Sequence, residues 1–374
     1  MRVIHVFNSN TINGPEMQVI PALLHSSWEY EVWLLHEARR GVHSSLQQYC
    51  HTLRIPTQRI EVRSRFDIGA LARLRTHLSS LEQAVIVHSH DAKASVYCWI
   101  AIASLFRKKI RSIVTHHGVV GRPNALSRCY ESIFTQGTKF FADCVLTVCQ
   151  FDFKLLLKRG VPARKVRVHF NGIDRPPLRW EDRRVLASQS KIRLVVVGRL
   201  SKEKNHSALL RVLAAMNSQQ KDSLKWSLDI IGEGSLKSHL QGLCVALGLC
   251  EQVRFLGYQH EAWRCLDLYD ALLSFSLGEG FPVNVLEAGW RSTPVFCSKV
   301  GGIPELCGDE GAMYFSLNEP DIEIAKRLAL FLDNEADRRN RAAHLLNRIQ
   351  THFTQSHWLD SASKIYEAVA GYSA

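Results

Sequence analysis

No stretch of this 374-residue chain is long and apolar enough to cross a bilayer as a helix. The opening MRVIHVF has no long apolar core and no small-residue cleavage site, so it reads as a strand and not as a signal peptide. Ten cysteines are present but scattered, with no Cys-x-x-Cys pair. Cys144 with Cys149, and Cys244 with Cys250, are too loosely set for a zinc site. Free thiols in a cytoplasmic protein are the simpler expectation. A Gly-x-Gly-x-x-Gly dinucleotide fingerprint is missing. So is any helix-turn-helix, finger or RNP-like pattern, which counts against nucleic acid as a partner. Internal repeats and low-complexity segments are also lacking.

What the chain has in surplus is positive charge. Lysine and arginine number 47 against 35 aspartates and glutamates, a net charge of +12. That surplus attracts phosphates, nucleic acid or an anionic membrane face, and a membrane surface carrying a phosphorylated lipid fits best. The composition, 46% hydrophobic and 22% charged, is that of a globular chain. The length suffices for two domains of ordinary size.

Short apolar runs alternate with helical patterns throughout, as in α/β proteins. RVIHVF (2–7) reads as a strand, Asn8 to Pro15 as a turn-rich loop, and Glu16 to Leu24 as a helix. Strand, glycine-containing loop, helix is how nucleotide-binding folds begin. LEQAVIVHSHD (81–91) is a strand ending in His88, His90 and Asp91. That ending invites a metal, but no further ligand cluster is evident, and no metal site is assigned. Residues 93–106 form a strongly apolar helix running into Arg107, Lys108, Lys109 and Arg111. Two readings stay open for it: a core helix ending in cations that suit its dipole, or a lipid-facing segment with a basic collar. Arg175 to Lys191, with Pro176, Pro177 and a charged run, is the linker candidate. IRLVVVGRL (192–200) is suited to a buried parallel strand.

The most informative stretch is LGEGFPVNVLEAGWR, from Leu277 to Arg291. Gly280 lets the chain turn at low steric cost, and Pro282 suits the first turn of a helix. Glu279 is therefore expected on the loop entering a helix and Glu287 in its second turn. A helix start offers unpaired N–H groups and a positive dipole end, which suit a phosphate. Spacing alone allows a plainer reading, an amphipathic helix with two solvated acids. The two glutamates with Gly280, Phe281 and Pro282 after the first resemble the signature of the large retaining glycosyltransferase family 4. The resemblance spans nearly the whole chain and is strongest over 193–306.

That resemblance implies the α/β GT-B architecture, two Rossmann-like domains facing across a cleft. Residues 1–175 would form the acceptor domain and 191–355 the nucleotide-sugar domain, with 356–374 crossing back to the first. Asn171-Gly172-Ile173-Asp174 resembles the family's mark for the end of the first domain. The implied reaction moves a sugar from a UDP- or GDP-sugar to an acceptor hydroxyl with retention. A lipid-linked saccharide of bacterial surface polysaccharide or lipopolysaccharide synthesis is the favoured acceptor. Arg199 and Lys204 match the phosphate clamp; alone, they read as two solvated cations. Glu287 would take the ribose hydroxyls, while Gly280 and the N–H groups of Phe281, Val283 and Asn284 face the donor. Glu279 is assigned a sugar-binding and electrostatic role. His117, just before a glycine, matches the family's donor-contacting histidine. Asn13-Gly14-Pro15-Glu16 stands where the family has a Gly-Gly-x-Glu-like loop, so Gly14 would approach the donor diphosphate. No cofactor is implied, and no Asp-x-Asp metal motif stands in a suitable place. The implied partners are a nucleotide sugar, a glycan or lipid-linked acceptor and an anionic membrane. The location would be cytoplasmic, peripheral on the inner membrane's cytoplasmic face. Two other classes stay open: a different nucleotide-sugar enzyme of similar shape, such as an epimerase or a glycan phosphorylase, and a non-catalytic sugar- or lipid-binding scaffold.

Overall fold

The computed structural model of the protein describes residues 1–41, 44–64, 66–105, 109–118, 125–174, 191–219, 225–259 and 261–371. The linker candidate, all but Lys191, and the cations Arg107 and Lys108 lie outside the described residues. The chain divides into two compact units, Met1–Asn171 with Gln355–Ala374, and Gly172–Thr354.

In the first unit strands and helices alternate: β1 (Arg2–Phe7), α1 (Gly14–Leu23), β2 (Glu29–Glu37), α2 (Ser45–Thr52), β3 (Thr57–Val62), α3 (Ile68–Ser79), β4 (Val85–Ser89), α4 (Ala92–Ala103), β5 (Ile110–His116), α5 (Ala125–Phe141), β6 (Cys144–Thr147), α6 (Gln150–Lys158) and β7 (Val166–Val168). The strands pair in parallel in the order β3-β2-β1-β4-β5-β6-β7. β1 buries Val3, Ile4, Val6 and Phe7 on both of its faces, as a strand of a parallel sheet covered on both sides must. The winding reverses between β1 and β4, and the crevice beyond the carboxyl ends of such a strand pair is where open α/β sheets bind ligands.

The structure shifts one boundary and decides between two open readings. The first helix begins at Gly14, so this glycine is the first helical residue and has no positive φ. Asn13 closes the start instead, its N–H donating to Glu16 Oε2 at 2.9 Å, as in a capping box. The apolar helix α4 is a core helix: Tyr97, Cys98, Trp99 and Ala101 are buried. Trp99 Nε1 donates to Ser112 Oγ at 3.1 Å, and Gly137 of α5 lies so close that a Cβ there would overlap the Trp99 ring. The lipid-facing reading of this helix falls away.

The second unit contains β8 (Ile192–Val197), α7 (His206–Gln219), β9 (Trp226–Ile231), α8 (Lys237–Ala246), β10 (Val253–Gly257), β11 (Ala271–Ser274), α9 (Val283–Trp290), β12 (Val295–Ser298), α10 (Ile303–Cys307), β13 (Met313–Phe315), α11 (Asp321–Asp333) and α12 (Glu335–His352). Its parallel sheet runs β10-β9-β8-β11-β12-β13, so its switch point lies between β8 and β11. The last helix, α13 (Gln355–Ala370), belongs to the first unit. It buries Trp358, Ala362 and Tyr366 in that unit's core.

Candidate functional site

The loops after β8 and β11 leave the sheet side by side at the switch point of the second unit. The first carries Arg199 and Lys204, the second Glu279. Lys204 ends a short 3-10 turn, Lys202–Lys204, which is closed by Asn205 at φ 53°. Leu277 N–H donates to Glu203 O at 2.8 Å and ties the two loops together. Lys204 Nζ lies 2.5 Å from Glu279 Oε1, in a pair whose side chains are only 23% and 12% exposed. Ser276 Oγ donates to the same carboxylate oxygen at 2.6 Å. Shielding from water strengthens such a pair and makes loss of one partner costly. The arrangement qualifies the expected clamp: the charge of Lys204 is already matched by Glu279, whereas exposed Arg199 has no side-chain partner among the described residues. The trio keeps one net positive charge beside the helix start.

That helix is α9. Its N-cap is Pro282, no side chain caps it, and no acid stands in its first turn. The N–H groups of Val283 and Asn284 thus open the helix with the positive end of its dipole. The Asn284 side chain is engaged elsewhere, donating to Val197 O at 2.8 Å and locking the helix start onto the end of β8. Phe281 is buried and packs edge-on against Phe353 at 4.9 Å, so this side chain anchors the loop. A hollow beside Lys204 is lined by Gly198, Lys204, His206, Ser274, Ser276 and Asn284.

Glu287 lies one turn into α9, partly covered, with no hydrogen bond or ion pair to its carboxylate among the described residues. Burial without compensation pushes its pKa up to about 8. An uncompensated acid of this kind is typical of a site that awaits a polar ligand.

The chain bends at Gly280 before α9, as expected, and a second glycine supports the loop. Gly280 has no positive φ, whereas Gly301, in the loop before α10, sits at φ 53°. A Cβ on Gly301 would overlap the carbonyl oxygen of Glu279, which accepts from Gly302 N–H at 3.1 Å. Gly301 thus lets a third loop close against Glu279 from below.

Gly14 and His117 lie in the first unit, apart in sequence grouping from the residues above. His117 follows β5 and joins a buried histidine group at the β1/β4 switch point. Its Nε2 is 3.2 Å from His90 Nδ1, and His90 Nε2 is 2.9 Å from His5 Nδ1. Phe7 stacks on His90 at 4.3 Å. His88 is held separately, Nδ1 at 2.7 Å from the Tyr366 hydroxyl and Nε2 at 2.7 Å from Thr115 Oγ1. Burial depresses every one of these rings: His5 and His117 to about 3, His88 and His90 well below the usual imidazole range. Nitrogens of His5, His88 and His90 lie within 4.8 Å of one another, so among the described residues these three could hold a metal ion. Both nitrogens of His88 and of His90 already have protein partners, which fits neutral hydrogen-bonded rings. His5 escaped the sequence reading because it is an interior strand residue more than eighty positions from its partners. Ser276 was passed over because a serine does not stand out among its neighbours, whereas the glycine turn of 293–307, which resembles one that closes under the donor site in the family, contains Gly301.

Two family descriptions fit the sequence: Glycosyl transferases group 1 over residues 179–345, and Glycosyltransferase Family 4 over residues 24–175. The chain belongs to glycosyltransferase family 4. The curated relatives it matches are named glycosyltransferases, and the chain spans about half the length of the first of them. The chain is similar to the N-acetylgalactosamine-N,N'-diacetylbacillosaminyl-diphospho-undecaprenol 4-alpha-N-acetylgalactosaminyltransferase of Campylobacter jejuni subsp. jejuni serotype O:2, at 29% identity over 171 residues. That match covers 45% of this chain and 45% of the Campylobacter enzyme, less than half the length of either. The O-antigen biosynthesis glycosyltransferase WbnH of Escherichia coli is 25% identical over 287 residues, 75% of this chain and 77% of that protein. Anabaena Alr3699/HepE in complex with UDP-glucose matches the structure of this transferase with a TM-score of 0.84 at 18% identity, over 98% of this chain and 100% of that one. Two Rossmann-like units in one chain give this family 4 transferase the GT-B fold.

Proposed function

We propose that this transferase moves a hexose-type sugar from a uridine diphosphate sugar onto the hydroxyl of a lipid-linked saccharide, keeping the anomeric configuration, in bacterial surface polysaccharide synthesis. The observation that carries the reading is the cation–acid pair Lys204–Glu279 beside the uncapped start of α9, with Arg199 unpaired next to it. The diphosphate takes the N–H groups of Val283 and Asn284 and the charge of Arg199 and Lys204. Glu287 accepts the ribose hydroxyls, and Glu279 holds Lys204 in place and meets the sugar. His117 meets a sugar or phosphate oxygen. As the bond from the anomeric carbon to the diphosphate breaks, negative charge grows on the leaving oxygen. Fixed cations stabilise that charge more than they stabilise the intact donor. The acceptor oxygen bonds to the anomeric carbon on the same face, and its proton passes to a leaving-phosphate oxygen. No divalent ion takes part in this scheme, and turnover after treatment with EDTA checks that. The choice of uridine is supported by the UDP-glucose complex of Anabaena HepE. The choice of acceptor is supported by the diphospho-undecaprenol substrate in the Campylobacter enzyme's name.

Donor turnover in Lys204→Ala and Glu279→Gln tests the site. Losses of about 100-fold or more are expected in each, and near-normal rates in both would remove the assignment. The anomeric proton coupling of the product tests retention. Among the described residues no helix is long and apolar enough to cross a membrane. Peripheral attachment is part of this reading; besides the basic segment 107–111, whose Arg107 and Lys108 lie outside the described residues, α5 and α6 offer a second candidate surface. Phe140, Phe141 and Phe151 are 75%, 54% and 50% exposed, and α6 also exposes Lys154 and Lys158. Aromatic rings with lysines among them suit an anionic bilayer face. Sedimentation with vesicles containing anionic lipid should fall with added salt and in Phe140→Ser; salt-independent or absent binding counts against it.

A further inference from the structure

The imidazole chain His5–His90–His117 has a property that none of its members has alone. A neutral imidazole carries one N–H and one acceptor nitrogen. The links run from His5 Nδ1 to His90 Nε2, at 2.9 Å, and from His90 Nδ1 to His117 Nε2, at 3.2 Å. If His5 donates from Nδ1, His90 accepts at Nε2 and so carries its proton on Nδ1. His117 then accepts at Nε2 and carries its proton on Nδ1. In the opposite case all three rings carry the proton on Nε2. The tautomers are therefore locked together, and the state of His117 is set two rings away.

The two ends of the chain decide which state is preferred. His5 Nε2 and His117 Nδ1 are both shielded from solvent and without a hydrogen-bond partner among the described residues. One end must hold an unpaired N–H and the other an unpaired acceptor. His5 is wholly buried, while His117 keeps some exposed surface. An orphaned N–H deep in the core is the rarer and costlier fault. The proton thus belongs at the His117 end, whose residue is the less deeply buried of the two.

We propose that His5 and His90 are positioning residues that fix His117 as a neutral ring with its proton on Nδ1, the tautomer in which it would meet the substrate. This rests on the reading of His117 given above. Phe7, stacked on His90, and the buried group His88–Tyr366–Thr115 hold the rings in register. The depressed basicity of all three rings agrees with a chain that carries no charge.

The test is nitrogen-15 NMR of the histidine rings in the full-length protein, with donor kinetics on the same samples. Wild type should show His117 protonated at Nδ1 alone. His5→Phe removes the end of the chain, and His117 should become a mixture of tautomers. kcat should then fall about tenfold, with KM changed less. His5→Asn sets an amide where Nδ1 stood, and should restore both the Nδ1–H tautomer and most of the rate. A wild-type His117 protonated at Nε2, or a stoichiometric metal ion on the purified protein by elemental analysis, overturns the proposal, and neither result depends on any variant folding. If His117→Ala slows turnover while the His117 tautomer is unchanged in His5→Phe, the positioning role alone fails. If His117→Ala turns over normally, the substrate contact itself fails, whatever the spectra show.

Discussion

The Tyr366 hydroxyl of α13 and Nδ1 of His88 in β4 lie 2.7 Å apart across 278 residues of sequence. Both groups are fully buried, so this bond fastens the returning C-terminal helix to the centre of the first sheet. Tyr366→Phe removes the hydroxyl and leaves a buried ring nitrogen without its partner. A loss of about 1–3 kcal/mol is expected, or roughly 2–4 °C in Tm per kcal/mol for a unit of this size. Thermal unfolding of the variant checks it, and an unchanged Tm would mean that the helix is held by apolar packing alone.

Glu287 makes stability depend on pH in a defined direction. Its carboxyl is raised from an ordinary 4.5 to about 8 in the folded protein, so the folded state holds this proton more tightly than the unfolded chain. The stabilisation is complete below about pH 4.5 and is lost as pH rises through about 8. Glu287→Gln removes the titrating group. The variant should match wild type near pH 5 and exceed it at pH 9, by a Tm difference of about 2–4 °C or more. A variant less stable than wild type at pH 9 would show that the carboxylate is compensated in the native protein.

Gly301 stands in the left-handed region directly under Glu279. Gly301→Ala adds a methyl where the Glu279 carbonyl oxygen lies and forces the residue into a conformation that costs about 1 kcal/mol or more. The loop must shift, and with it the Lys204–Glu279 pair. Donor kcat/KM should fall at least about tenfold, well beyond what the stability loss explains. Normal kinetics in a correctly folded variant would show that Glu279 is fixed from its Lys204 and Ser276 side alone.

How much of this was legible beforehand follows from what each contact depends on. The parallel sheets were legible because a strand such as Ile192–Val197 is almost wholly apolar, and only a covered strand tolerates that. The loop-then-helix placement of Glu279 and Glu287 was legible because Pro282 marks a helix start within eight residues of both. The pairing of Lys204 with Glu279 was not, since 75 residues separate them and only the β8–β11 adjacency brings them together. The same holds for His5 and His90, which meet across β1 and β4. The apolar helix α4 was ambiguous because hydropathy alone does not say whether protein or lipid covers a helix. Trp99 and its contact with Ser112 settle that. The crowding at Gly301 has a similar cause, since only the close approach of two loops shows that a Cβ there would meet the Glu279 carbonyl.

The central claim is that a nucleotide diphosphate is bound where α9 begins, by Arg199, Lys204 and the helix's own N–H groups. Isothermal titration of the full-length protein with UDP tests it most directly. Wild type should bind, and Arg199→Ala and Lys204→Ala should each weaken binding about 10- to 100-fold while the fold is retained. Equal affinity for UDP in wild type and both variants would contradict it.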